Sequence, residues 1–172
     1  MGVFFTGVLM MYQTTLFGNV LVSNAMSESS KLELARSRTS LRITGINLSV
    51  AGDCLVEVAV GNQGRESIAD LQRMDVIAHF TSRDPMSFEY QQLEPADVVA
   101  DELDAGNWTI EIDPAIYPFE PSIFNPGEEA IIHGKIGFAN PADAQTLVAA
   151  VVGTPNGVVA NFSGNVDVEP CN

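Results

Sequence analysis

The stretch Leu55-Val56-Glu57-Val58-Ala59-Val60-Gly61-Asn62-Gln63-Gly64 decides how most of this chain is read. Val56, Val58 and Val60 fall to one side and Glu57 to the other. That period of two belongs to a half-buried strand, and the Gly-Asn-Gln-Gly run stops it. Upstream, Leu41, Ile43, Ile46, Leu48 and Val50 alternate less regularly with Arg42, Thr44, Asn47 and Ser49, and Ala51-Gly52-Asp53 reads as a turn. The two segments predict a hairpin.

Downstream, further short strands are predicted over 76–81, 88–92, 108–112, 130–138, 146–153 and 158–162, each rich in Val, Ile, Thr or aromatics. Turn residues separate them at Arg83-Asp84-Pro85, Asn125-Pro126-Gly127, Asn140-Pro141 and Pro155-Asn156-Gly157-Val158, the last a strong hairpin signal. About eight short strands at this spacing, with no second helical segment, predict an immunoglobulin-like antiparallel β-sandwich over 39–172. The segment 113–129 holds Pro114, Pro118, Pro121 and Pro126 among Ile116, Tyr117, Phe119, Ile123 and Phe124. Its prolines exclude a central strand, and its apolar side chains place it against one end of the sandwich or against a neighbouring copy.

The N-terminal part reads differently. Residues 1–27 contain no charged side chain, whereas Glu28, Lys31, Glu33, Arg36 and Arg38 follow at helical spacing. One long N-terminal helix over 1–38 is predicted, apolar at its start and wetted at its end. Val3, Phe4, Phe5, Val8, Leu9, Leu16, Phe17, Val20 and Leu21 form its apolar surface, interrupted by Tyr12, Gln13, Thr14, Thr15 and Asn19. Lipid offers those polar groups nothing, while Ser and Thr can bond back to their own helix and Gly7 and Gly18 let helices approach. A removable secretory signal would need a positive n-region, and no Lys or Arg precedes the apolar stretch. Packing against other subunits is the leading expectation and a single membrane anchor the alternative. Membrane residence before packing reconciles the two.

Charge narrows the partners. The net charge is −14. Residues 1–84 carry seven basic and eight acidic groups (−1), and residues 85–172 carry Lys135 alone against fourteen acidic groups (−13). Such a surface repels phosphate and has no basic patch to release counterions, which excludes nucleic acid.

Cys54 and Cys171 are the two cysteines. A disulfide between them would restrict the unfolded chain by on the order of 4–5 kcal/mol; two unpaired thiols are the alternative. Asn47-Leu48-Ser49, Asn107-Trp108-Thr109 and Asn161-Phe162-Ser163 are N-glycosylation sequons, each predicted to present its Asn at the surface.

Catalytic patterns are missing. There is no Gly-x-Ser-x-Gly, His-Glu-x-x-His or Cys-x-x-Cys, and His79 and His133 read as plain strand residues. The expectation is a non-enzymatic protein without catalytic residues, cofactor or metal. Asp97, Asp101, Glu102 and Asp104 lack the spacing of a calcium loop and read as a solvated acidic face, with a cation site as the alternative.

In this order, the features resemble the archaellin (archaeal flagellin) family and the related archaellum stator proteins, which join a type IV pilin-like N-terminal helix to an immunoglobulin-like sandwich. The resemblance is carried by the uncharged helix 1–27 with its mixed tail 28–38, by Leu55 to Gly64, and by Phe124-Asn125-Pro126-Gly127-Glu128. Phe5 stands where an ordinary bacterial type IV pilin carries Glu. The resemblance implies a structural subunit that polymerises with copies of itself in a motility filament outside the cell, after membrane residence and handling by archaellum-type assembly machinery. It also implies removal of a short basic leader by a prepilin-peptidase-type enzyme. The stator branch implies instead a membrane-anchored module that grips an envelope layer or filament through its sandwich.

Overall fold

The computed structural model describes residues 20, 22–48, 55–83, 86–113, 122–137 and 145–168. The chain divides into two compact units, Met1–Ser37 and Arg38–Asn172. In the first, the helix is described at residue 20 and over residues 22–37. Ala, Met, Leu, Glu, Lys and Arg supply most of its residues, all strong helix formers. Ser30 and Ser37 donate their hydroxyls to the carbonyls of Met26 (2.9 Å) and Leu34 (2.8 Å), so both polar groups are satisfied within the helix. Among the described residues no helix is long and apolar enough to cross a membrane.

The second unit is β-structure. Its described strands are β1 (Leu41–Leu48), β2 (Leu55–Asn62), β3 (Asp75–Arg83), β4 (Met86–Pro95), β5 (Asn107–Ile112), β6 (Glu129–Lys135), β7 (Gln145–Gly153) and β8 (Val159–Val168). Short 3-10 turns lie at Leu71–Arg73 and Ala100–Glu102. β1 and β2 form the predicted hairpin, with Leu41 opposite Asn62 and Leu48 opposite Val56. Alternation in β2 sends Val56, Val58 and Val60 inward. There they meet Ile132 and Ala130 of β6, Trp108 of β5, and Phe80 and Val152 from β3 and β7 in one hydrophobic core.

The strand order is β1-β2-β6-β5-β4-β3-β7-β8. Neighbours pair antiparallel except β4 and β5, which run parallel and touch through only two residue pairs, Glu94 with Asn107 and Pro95 with Trp108. The seam departs from the two separate sheets of the expected sandwich. It forms because the chain beyond Leu93 stays in ladder geometry, with Glu94 N–H donating to Gly106 (2.9 Å) and Ala96 N–H to Trp108 (2.8 Å). With β1 running beside β8, the eight strands make one barrel-like sheet.

The described part of the proline-rich segment behaves as its apolar side chains demand. Phe124 is fully buried and bridges to Ile68, each donating its N–H to the other's carbonyl at 3.0 and 2.9 Å. Residues 114–121 lie outside the described residues.

Candidate assembly surfaces

Of the helix residues expected to pack against other subunits, Val20 is described, with 55% of its surface exposed. Val3, Phe4, Phe5, Val8, Leu9, Leu16, Phe17 and Leu21 lie outside the described side chains. Val22, Met26, Leu32 and Leu34 are also exposed. At about 100° per residue, Leu34 and Leu32 lie roughly 80° and 120° from Met26 on opposite sides of the axis. Apolar groups therefore face several directions instead of forming one stripe.

The two turn sequences that carry the family resemblance come together in space. Asn62 N–H donates to the carbonyl of Glu128 at 3.0 Å, and Gly127 N–H returns to the carbonyl of Asn62 at 2.7 Å. The Asn62 amide donates to the carbonyls of Phe124 (2.9 Å) and Glu66 (3.0 Å), while its side-chain oxygen accepts from Gly64 N–H at 3.0 Å. Asn62 is itself buried, so its side chain acts as an internal clamp for three backbone groups. Buried Glu128 closes its own turn by accepting from Asn125 N–H at 2.5 Å. Gly127 occupies φ +85°, which Gly alone adopts without strain.

On its other side the cluster holds the first residues of the β unit. Gln63 N–H donates to Ser40 (2.8 Å) and Arg65 N–H to Arg38 (2.7 Å), with an Arg38–Glu66 ion pair at 3.2 Å above them. An open cleft of about 500 Å³ lies beside the cluster, lined by Thr44, Gly61 to Gly64 and Pro126 to Glu129.

The outward face of β1, β2, β6 and β5 is charged. It presents Arg42, Glu57, Lys135 and Glu111, with His133 at its centre. The His133 ring is buried between two carboxylates, Nδ1 at 3.8 Å from Glu57 and Nε2 at 3.7 Å from Glu111. These separations are ion-pair distances for a charged ring and too long for hydrogen bonds. Local sequence gives His133 as a strand residue, and only the three-strand register brings both acids to it.

Asn47 and Asn161 are exposed, and Asn107 is half-buried at the start of β5. Cys54 and Cys171 lie outside the described residues. Asp97, Asp101, Glu102 and Asp104 are exposed around the second 3-10 turn. Among the described residues no group of three or more His, Cys, Asp and Glu side chains is arranged to hold a metal ion.

No protein-family profile matches the chain, and comparison with curated proteins finds no match. Solved structures do match. In fold, the chain is similar to archaeal flagellin. The flagellin FlaB1 from Methanocaldococcus jannaschii aligns with a TM-score of 0.50 at 10% identity, over 74% of this chain and 90% of that one. The archaellum periplasmic stator complex FlaF and FlaG from Sulfolobus acidocaldarius gives 0.46 at 16% identity, over 72% and 87%. The archaeal flagellum of Methanospirillum hungatei strain JF1 gives 0.46 at 12% identity, over 95% and 93%. At these identities the likeness is one of fold.

Proposed function

We propose that this chain is a structural subunit of an archaellum-type, type IV pilin-like extracellular filament, polymerising through its N-terminal helix in the service of motility. The observation that carries the reading is the helix itself: exposed apolar side chains on several sides, in a segment whose first 27 residues carry no charge. Each large side chain buried against a neighbour contributes about 1.5–3 kcal/mol before ordering costs. A helix surrounded by copies of itself buries all its sides at once. The contact is heterologous, so it repeats along a filament instead of closing. The acidic β unit forms the outer shell, and no catalytic step is involved.

The same proposal reads the strand order as immunoglobulin-like. β1-β2-β6-β5 follows the order A-B-E-D, and β4-β3-β7-β8 follows C′-C-F-G, with the β4–β5 seam joining two sheets of that type. It includes a Cys54–Cys171 disulfide and N-glycosylation of at least one of Asn47, Asn107 and Asn161. Intact mass before and after reduction and deglycosylation tests each of these.

The second reading is a membrane-anchored, stator-like module that binds an envelope layer or filament through its β unit, favoured by the exposed aromatic residues of β4. Electron microscopy of sheared surface filaments, with mass spectrometry of their subunits, tests the first reading. Filaments made of this chain are expected; cells whose filaments never contain it would sink the proposal. Deleting residues 1–27 separates the two readings, since assembly is lost in the first and ligand affinity is kept in the second.

A further inference from the structure

The outward face of β8, β7, β3 and β4 has the opposite character to the face described above. Its described side chains are Val159 and Asn161 on β8, Ala149 and Val151 on β7, Ile77, His79 and Thr81 on β3, and Phe88 and Tyr90 on β4. None carries a formal charge at neutral pH. Charged positions frame this uncharged centre: Asp75 and Glu94 lie at one end, where Gln92 Nε2 donates to Asp75 at 3.2 Å, and the register sets Arg83 and Asp167 at the other. Phe88 is 84% exposed and Tyr90 76%, the largest values among the exposed large hydrophobics. The His79 ring lies against Tyr90 with centroids 6.0 Å apart, which widens the aromatic surface from one strand to two.

We infer that this face is a docking surface for the same face of a second copy of the chain. Charge decides the occupant. With a net charge of −14, two copies meeting through most other surfaces would set acid against acid. The aromatic face lets them meet without that repulsion. A cationic partner would be drawn to the acidic surface instead, and an aromatic sheet surface of this kind is satisfied by another one, packed at about 10 Å.

Size sets the strength. Four strands about 4.8 Å apart and some five residues long at about 3.3 Å each span roughly 300 Å² per copy. A stable interface takes about 800 Å² per partner, so the pair is weak and transient. A face that meets its own kind is related by a two-fold axis, which a polar helical filament does not contain. The paired copies are therefore unassembled subunits or belong to neighbouring filaments, and the pairing stands whether or not the chain polymerises.

Photocrosslinking of the full-length chain in its native cells tests this. In the variant Phe88→p-benzoylphenylalanine, irradiation is expected to give a covalent homodimer whose joined peptides come from β3, β4, β7 or β8 of both copies. Adding Tyr90→Ser is expected to lower the yield by at least about tenfold, the equivalent of 1.4 kcal/mol. Both positions are exposed, so the fold is retained, as circular dichroism will report. Crosslinks to another protein, lipid or polysaccharide would overturn the inference. So would joined peptides from any other surface, a yield matched by Arg42→p-benzoylphenylalanine on the opposite face, or a glycan on Asn161. Electron micrographs of the same cells keep this outcome separate from the filament reading: homodimers without filaments would remove that reading and leave this one in place.

Discussion

A β-carbon placed on Gly64 would lie 2.6 Å from the carbonyl oxygen of Arg38 and 2.6 Å from the backbone nitrogen of Ser40. Two strands of main chain cross there with room for a hydrogen atom only. The segment 38–40 is seated against Gln63 and Arg65 by backbone hydrogen bonds, and Gly64 is what lets it come so close.

Gly64→Ala is therefore expected to destabilise the protein by about 1–3 kcal/mol, because the obstacle is backbone and not a side chain that can rotate away. Urea denaturation of the purified full-length chain measures it. A midpoint equal to that of the parent would show that the crossing opens at little cost.

Asn62→Ala removes the clamp of the turn cluster. The Glu66 carbonyl and Gly64 N–H lose their described partner, while the Phe124 carbonyl keeps Ile68 N–H. The expected loss is about 1–2 kcal/mol, the lower part of the range for backbone groups left unpaired, since both are only part-buried. Asn62→Asp should do no better, since a carboxylate keeps the acceptor for Gly64 and turns oxygens toward two carbonyls. A stable Asn62→Asp protein at neutral pH would contradict this account of the clamp.

The Arg38–Glu66 ion pair is expected to matter much less. Both side chains are about half exposed, so water and salt screen the attraction. A double-mutant cycle with Arg38→Ala and Glu66→Ala should give a coupling below about 1 kcal/mol that shrinks further in salt. A coupling several times larger would mean that the pair, and not the backbone beneath it, holds the segment.

The helix carries the assembly prediction. Leu16→Asp or Val20→Asp would place a carboxylate in a contact between subunits, at a cost of several kcal/mol for an unpaired buried charge. Filaments are expected to disappear from electron micrographs while the circular dichroism signal of the β unit persists. Normal filaments from either variant would mean that these positions face water in the polymer.

Much of the β architecture is legible in local sequence because strand alternation is a local property. Val56, Val58 and Val60 could be placed inward from their spacing alone, and Pro155 to Val158 marked the β7–β8 hairpin, closed by Gly157 at φ +80°. Strand ends were less legible, for reasons outside the strands. β6 stops at Lys135, short of the expected Phe138, where Gly137 N–H bonds to the Gln91 side chain instead of to a neighbouring strand. β8 runs beyond the expected Phe162 to Val168, since the first residues of β7 extend the ladder across from it. The parallel seam at Glu94 and Pro95 has no local signature, as two residue pairs leave no period to detect. The candidate surfaces follow the same division. Phe88 and Tyr90 mark a strand by their spacing, but that both point away from the core depends on Leu93 pointing into it.

The seat of residues 38–40 is made by peptide groups of Arg38, Ser40, Gln63 and Arg65, whose side chains play no part in those bonds. Gln63 and Arg65 can therefore be exchanged for other residues that keep a backbone N–H while the main-chain joint persists, so this corner pairs replaceable side chains with a frame that does not depend on them.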